Sequence, residues 1–262
     1  MALDGIPAQA GQAREDWLFQ AVCDGRATYD LAEVVSTHDG RTAHFQVFAD
    51  ALKVDGVRIN VSAQTEQKIA DVLGFMLMTP KLADLVWLQK STKLLPHPRQ
   101  ITSATDAMIG HSSLIDADLA KLGNPGGIVC TVGKHWVIDN DLALHAGRAE
   151  NYGWHFDGNI GISPEMTATK DDHGQWMKII QGRGWAHDMH HVDYSQICVL
   201  VSRQCTVDGA QMDLMDLLQD ASLAPLASHQ GVMKVLRQPG VPEVTGVAVI
   251  PQVNVDASDP VA

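Results

Sequence analysis

Apolar residues recur at helical spacing near the start of the chain, where Trp17, Leu18, Ala21 and Val22 mark a helix around Arg14 to Cys23. The period then shortens to two. Ala43, Phe45 and Val47 alternate with His44, Gln46 and Phe48, and Val57-Arg58-Ile59-Asn60-Val61 alternates again after the turn signal Asp55-Gly56. This predicts a β-hairpin or paired strands. Ser62 is placed to cap a helix over Ala63 to Met76, with Ile69, Val72, Leu73 and Met76 on one face and Gly74 weakening its end. Thr79-Pro80 starts a second helix through Leu82, Leu85, Val86 and Leu88, because proline suits the first helical position.

Each proline of Leu95-Pro-His-Pro biases its predecessor away from helical dihedrals, so residues 95–100 read as an extended connection. A short helix over Leu114 to Leu122 follows, and Gly123-Asn-Pro-Gly-Gly127 breaks the chain. Beyond the break the pattern gives strands at Ile128–Val132, Trp136–Ile138, Asn151–Phe156, Met177–Ile180 and Val192–Ser202. Asp208-Gly209 then turns the chain into a helix around Met212 to Leu218. Residues 244–255 are strand-like, ahead of an acidic end. The expected class is α+β, with a helical first half and a mostly antiparallel β second half around one core. The break suggests segments 1–123 and 128–255, either as two units or within a single domain.

Composition narrows the function. The 262 residues, 45% hydrophobic and 19% charged, suffice for a sizeable core. A formal charge of -12 disfavours nucleic acid and anionic membrane surfaces as partners, since both need clustered Lys and Arg. No window approaches the roughly 18–20 consecutive apolar residues of a membrane-spanning helix, and Met1-Ala-Leu-Asp-Gly lacks the basic and apolar regions of a secretory signal. Cys23, Cys130, Cys198 and Cys205 form no Cys-x-x-Cys pair, so reduced structural thiols and a cytoplasmic location are expected.

The densest candidate chemistry is His187-Asp188-Met189-His190-His191-Val192-Asp193, just before the apolar run Ile197 to Val201. Imidazoles titrate near neutrality and ligate transition metals, and carboxylates orient them. As a helix, His187, His190 and His191 would share a face. As a strand, which the β-branched run favours by Asp193, His187, His191, Asp193 and Ser195 lie on one side and His190, Tyr194 and Gln196 on the other. A second constellation, Asn151-Tyr-Gly-Trp-His-Phe156, alternates so that Asn151, Gly153 and His155 face one way and Tyr152, Trp154 and Phe156 the other. A neighbouring strand could thus deliver His155 toward the first cluster, with Gly153 allowing close backbone approach. Lys134 and His135 are additional candidates.

Two mechanisms fit. His187, His191 and Asp193, with or without His155, could bind zinc, iron or manganese and acidify a water. Alternatively Ser195 is the nucleophile or proton donor, a histidine its base, and Asp193 or Asp188 the orienting group. Ser195 lies outside any Gly-x-Ser-x-Gly elbow. The non-catalytic reading has equal standing: the histidines cap strand ends, and Asp193-Tyr194-Ser195 forms a corner whose hydroxyls satisfy nearby backbone. His38, His44, His97, His111, His145, His173 and His229 read as surface or packing residues.

Tyr152-Gly-Trp-His155, followed by His187 and Asp193-Tyr194-Ser195, resembles a group of bacterial proteins of unassigned function that share Tyr-Gly-Trp-His and His-x5-Asp-Tyr-Ser motifs. Lys134, Asn140, Gln67–Asp71 and Thr79–Asp84 extend the resemblance over most of the chain. The resemblance implies no reaction, but it favours His155, His187, Asp193 and Ser195 over His190 and His191; Gln196 stands where that group has histidine. From the residue chemistry of the 151–156 and 187–195 segments, the expected function is a hydrolase of an amide or ester bond in a small molecule or peptide, through a His/Asp-centred site with or without a metal. The competing expectation is a binding or assembly module whose cluster is structural.

Overall fold

The computed structural model describes residues 3–100, 102–130, 132–158, 168–170, 174–246 and 252–253. In chain order its elements are α1 (Gln12–Cys23), β1 (Ala27–Tyr29), β2 (Leu31–His38), β3 (Arg41–Phe48), β4 (Lys53–Val54), β5 (Val57–Arg58), α2 (Ala63–Leu73), β6 (Phe75–Leu77), α3 (Pro80–Leu88) and β7 (Thr92–Lys93). There follow α4 (Thr105–Lys121), β8 (Val129–Cys130), β9 (Lys134–Val137), β10 (Glu150–Phe156), β11 (Ala168–Lys170), β12 (Trp176–Gly184), β13 (Leu200–Val207), β14 (Ala210–Asp213), α5 (Leu214–Gln219) and β15 (Gln252–Val253). The class is α+β, with its helices mainly in the first half and mostly antiparallel sheets. No helix among the described residues is long and apolar enough to cross a membrane.

Local chemistry sets the two helices that frame the site. The Ser62 side chain accepts the Thr65 N–H at the start of α2, and left-handed Gly74 ends it. The helix therefore stops at Leu73, short of the expected Met76, and Phe75 to Leu77 leaves as β6. Thr79 caps α3 by accepting the Leu82 N–H, with Pro80 in its first turn.

Pairing differs from the alternation-based expectation. β3 forms a hairpin with β2, closed at Asp39-Gly40, whereas among the described residues β5 pairs with β4 alone. The strands at 42–48 and 57–61 are therefore not partners. Across the break at 123–127, β3 also pairs with β13, through Val47↔Val201 and Ala43↔Val207. The second sheet runs β11-β12-β10-β9, all antiparallel. Buried hydrophobics from Leu3 to Met233, drawn from both halves, form one cluster.

Three further differences bear on the site. Asp208-Gly209 makes a hairpin into β14 before α5 begins, as opposed to entering a helix directly. α4 starts at Thr105, well ahead of Leu114, with no side-chain cap to announce it. Residues 187–199 are not a strand, since the ladder begins only at Leu200. Of the strand-like tail, only Gln252–Val253 is described as strand, parallel to β1, and residues 247–251 and 254–255 lie outside the described residues.

Candidate functional site

β9 divides the candidate residues. Successive strand side chains face opposite ways, so Lys134 and Trp136 point to one side of the β9-β10-β12 sheet and His135 to the other. Each side carries its own polar cluster.

On the His135 side, α3 presents Asp84. This carboxylate is almost fully buried, and Oδ1 accepts the Tyr152 hydroxyl at 2.6 Å and lies 2.8 Å from His155 Nε2, while Oδ2 lies 2.9 Å from His229 Nε2. Burial alone would push the Asp84 carboxyl up, but hydrogen bonds from His155, His229 and Tyr152 outweigh it and hold it below the ordinary 3.8. An ionised carboxylate only accepts, so both imidazoles turn Nε2–H toward it. In the neutral His155 ring the basic nitrogen is then Nδ1.

Tyr152 and His155 can share Asp84 only because the expected alternation fails. The β10–β12 register shifts between Asn151 and Gly153; Gly153 has φ 95° and Trp154 φ 56°. This bulge turns Tyr152 and His155, three residues apart, to the same side and sends Trp154 edge-on toward His111 and Tyr194. Gly153 is required here: a Cβ would stand 3.2 Å from His135 Cδ2 and 3.4 Å from His155 Nδ1 in a conformation that disfavours side chains. His155 stacks on Trp87, at 5.8 Å and 18°. Together with His135, Trp87, Val86, Cys130, Gly133 and Ile197, it lines a small, partly open space of about 20 Å³, room for about one water. Burial, reinforced by neighbouring His155, lowers the His135 pKa to about 3. Burial also raises the Cys130 thiol to about 12.

On the Lys134 side, Lys134 Nζ donates to Asp193 Oδ2 at 2.9 Å, and Asp193 Oδ1 accepts the backbone N–H (2.8 Å) and hydroxyl (2.6 Å) of Ser195. Burial raises the Asp193 pKa, but Lys134 and Ser195 overcompensate and leave it lowered. Asn60 Nδ2 donates to the Asp193 carbonyl, and Tyr194 Oη accepts the Arg99 N–H and donates to the Arg99 carbonyl. Gly133 permits the approach of this corner, since a Cβ there would fall 2.5 Å from the Ser195 carbonyl oxygen. Ser195 is therefore bonded to Asp193, and among the described residues no histidine is one of its side-chain hydrogen-bond partners.

His187 and His191 stack face to face, with centroids 3.8 Å apart and planes 8° from parallel, His187 lying edge-on to Trp136. Burial first, then Lys134 and, for His187, also the neighbouring His191, lowers both pKa values. Each imidazole lone pair lies in its own ring plane, so two parallel planes this far apart do not meet at one ion about 2.0–2.1 Å from both nitrogens. Among the described residues, no three His, Cys, Asp or Glu are grouped to hold a metal. The structure thus keeps His187, His191, Asp193 and Ser195 in one neighbourhood and places His155 in another, contrary to the expected convergence.

Asp84 and His229 complete the His155 cluster. The sequence carried a trace of Asp84, an acidic residue one turn before Trp87 in a mostly apolar helix. His229, remote in sequence from both His155 and Asp84, carried none.

Breaking the Lys134–Asp193 pair should be costly. Lys134→Met leaves a carboxylate that is 1% exposed without its cation, and should destabilise by about 3–5 kcal/mol. The double variant Lys134→Met/Asp193→Asn should be less destabilised than the sum of the singles. Urea unfolding of the four proteins measures this, and a Lys134→Met loss below about 1 kcal/mol would show that the pair behaves as a solvated one.

No protein-family model, no curated protein and no solved structure matches this chain.

Proposed function

We propose that the protein is a hydrolase of an amide or ester bond in which His155, oriented by Asp84, is the general base that activates a water. The observation that carries this reading is the Asp84–His155 hydrogen bond beside a water-sized, largely apolar space. A buried carboxylate fixes the tautomer and stabilises the imidazolium formed when His155 takes a proton. Tyr152 and His229 hold the same carboxylate and so position it.

Metal-assisted hydrolysis at His187, His191 and Asp193 would require one ring to leave the stack. Near-stoichiometric zinc, iron or manganese, lost in His187→Ala, would favour that route over His155. A second reading, a binding or assembly module, draws on the Asp193-Tyr194-Ser195 corner, whose bonds to the Asn60 side chain and to the Arg99 and Lys134 backbones are those of a structural joint.

Release of chromophore from p-nitrophenyl esters and peptide p-nitroanilides provides the test. His155→Gln should lose at least about 100-fold in kcat while its thermal midpoint stays within a few degrees of wild type. Unchanged turnover in His155→Gln would remove His155 from the chemistry, and a wild type inert to both substrate classes would favour the module.

A further inference from the structure

Beside the His155 space lies a groove of about 510 Å³, within the roughly 300–1,000 Å³ of small-molecule sites. Asp50 and Val129 line both, so the groove adjoins the space that His155 lines. It forms between the Asp30–Leu31 corner, the β4-β5 hairpin, α4 and the 124–127 turn. Its polar wall is unevenly charged, with carboxylates Asp30, Asp50 and Asp116 against Lys53 and Arg58.

Both cations are already engaged. The Arg58 guanidinium, 2% exposed, binds Asp50 and Asp116 at 2.5 Å each, and Lys53 Nζ lies 3.1 Å from Asp50. Among the described residues, Asp30 is in no ion pair; it is exposed at the groove and contributes the surplus negative charge. A phosphate or carboxylate ligand would meet that charge unfavourably, whereas an ammonium group would neutralise it. Leu31, Leu119 and Pro125 offer apolar contact for an aliphatic stem.

We propose that this groove seats a short peptide bearing a free ammonium group, with the ammonium at Asp30 and the following amide directed past Val129 and Asp50 toward His155. The inference rests on the reading of His155 as the base and adds a substrate class to it.

The test titrates the full-length protein with the tripeptide Ala-Lys-Ala and with its fully acetylated form, following backbone amide shifts, in wild type, Asp30→Asn and His155→Gln. Ala-Lys-Ala should bind wild type saturably, acetylation or Asp30→Asn should weaken binding about tenfold or more, and His155→Gln should bind as wild type does without cleaving. No saturable binding below about 10 mM, or binding indifferent to both Asp30 and acetylation, overturns the groove assignment. The two readings separate cleanly: Asp30-dependent binding with cleavage intact in His155→Gln keeps the groove and removes the base. Cleavage lost in His155→Gln without Asp30-dependent binding does the reverse.

Discussion

Asp84→Ala should lower the unfolding free energy by about 3–5 kcal/mol and abolish whatever turnover His155 supports. The loss follows from what remains. Tyr152, 2% exposed, and His155, 3% exposed, would keep a buried hydroxyl and a buried ring N–H without the acceptor they now share. Asp84→Asn separates stability from chemistry. Its shape is conserved and its carbonyl oxygen still accepts, but its NH2 end only donates, so the imidazole facing that end must change tautomer or lose its partner. A smaller stability loss with a full loss of activity is therefore expected. The acid dependence has a definite sign. Because the folded carboxyl titrates below the ordinary 3.8, its contribution is present above that value and disappears as pH falls through the folded pKa. The gap between wild type and Asp84→Ala, followed by urea unfolding from pH 7 downward, should close in strong acid. A gap that stays constant with pH would mean that packing alone makes the difference.

Glu66→Gln should act in the opposite direction and stabilise the protein at alkaline pH. Glu66 lies wholly buried on α2, neither oxygen makes a side-chain hydrogen bond, and burial pushes its pKa well above 4.5, offset only in part by the Val199 backbone N–H. The folded chain therefore keeps a proton that the unfolded chain releases. Stability from this group is full below pH 4.5 and declines above it by about 1.4 kcal/mol per pH unit, until the folded carboxyl itself ionises. An amide of the same shape carries no such dependence. Urea midpoints of wild type and Glu66→Gln should lie close together at pH 4.5 and diverge by pH 8 in favour of the variant; parallel profiles would mean that Glu66 is ionised in the native state.

What could be read from the sequence was local. Ser62, Gly74 and Thr79-Pro80 set helix ends through groups within a few residues of one another, and the alternation at Ala43, Phe45 and Val47 marks β3 because only one of its faces is packed. Ile197 to Val199 misled for the complementary reason. They are apolar because they cross the core, yet their backbone bonds go singly to Lys134 and Leu52, not to a continuous ladder. Polar Gln181-Gly-Arg-Gly184 carries no strand signal and is held in β12 by pairing with β10. At the candidate site, the sequence pointed to His155 and to Asp193 but not to their separation, which depends on the Gly153–Trp154 bulge and on β9 standing between them. Asp84 and His229 meet His155 only in three dimensions, and no spacing rule connects residues that far apart.

The pairing of β3 with β13 sets an order of events during synthesis. Once the β2-β3 hairpin has left the ribosome, the outer edge of β3 has no neighbour until Leu200–Val207 emerges. Throughout that interval the nascent chain presents an unsatisfied row of backbone donors and acceptors, able to pair with a second nascent copy. Slow translation of the second half would prolong this exposure, and an early stop codon would make it permanent.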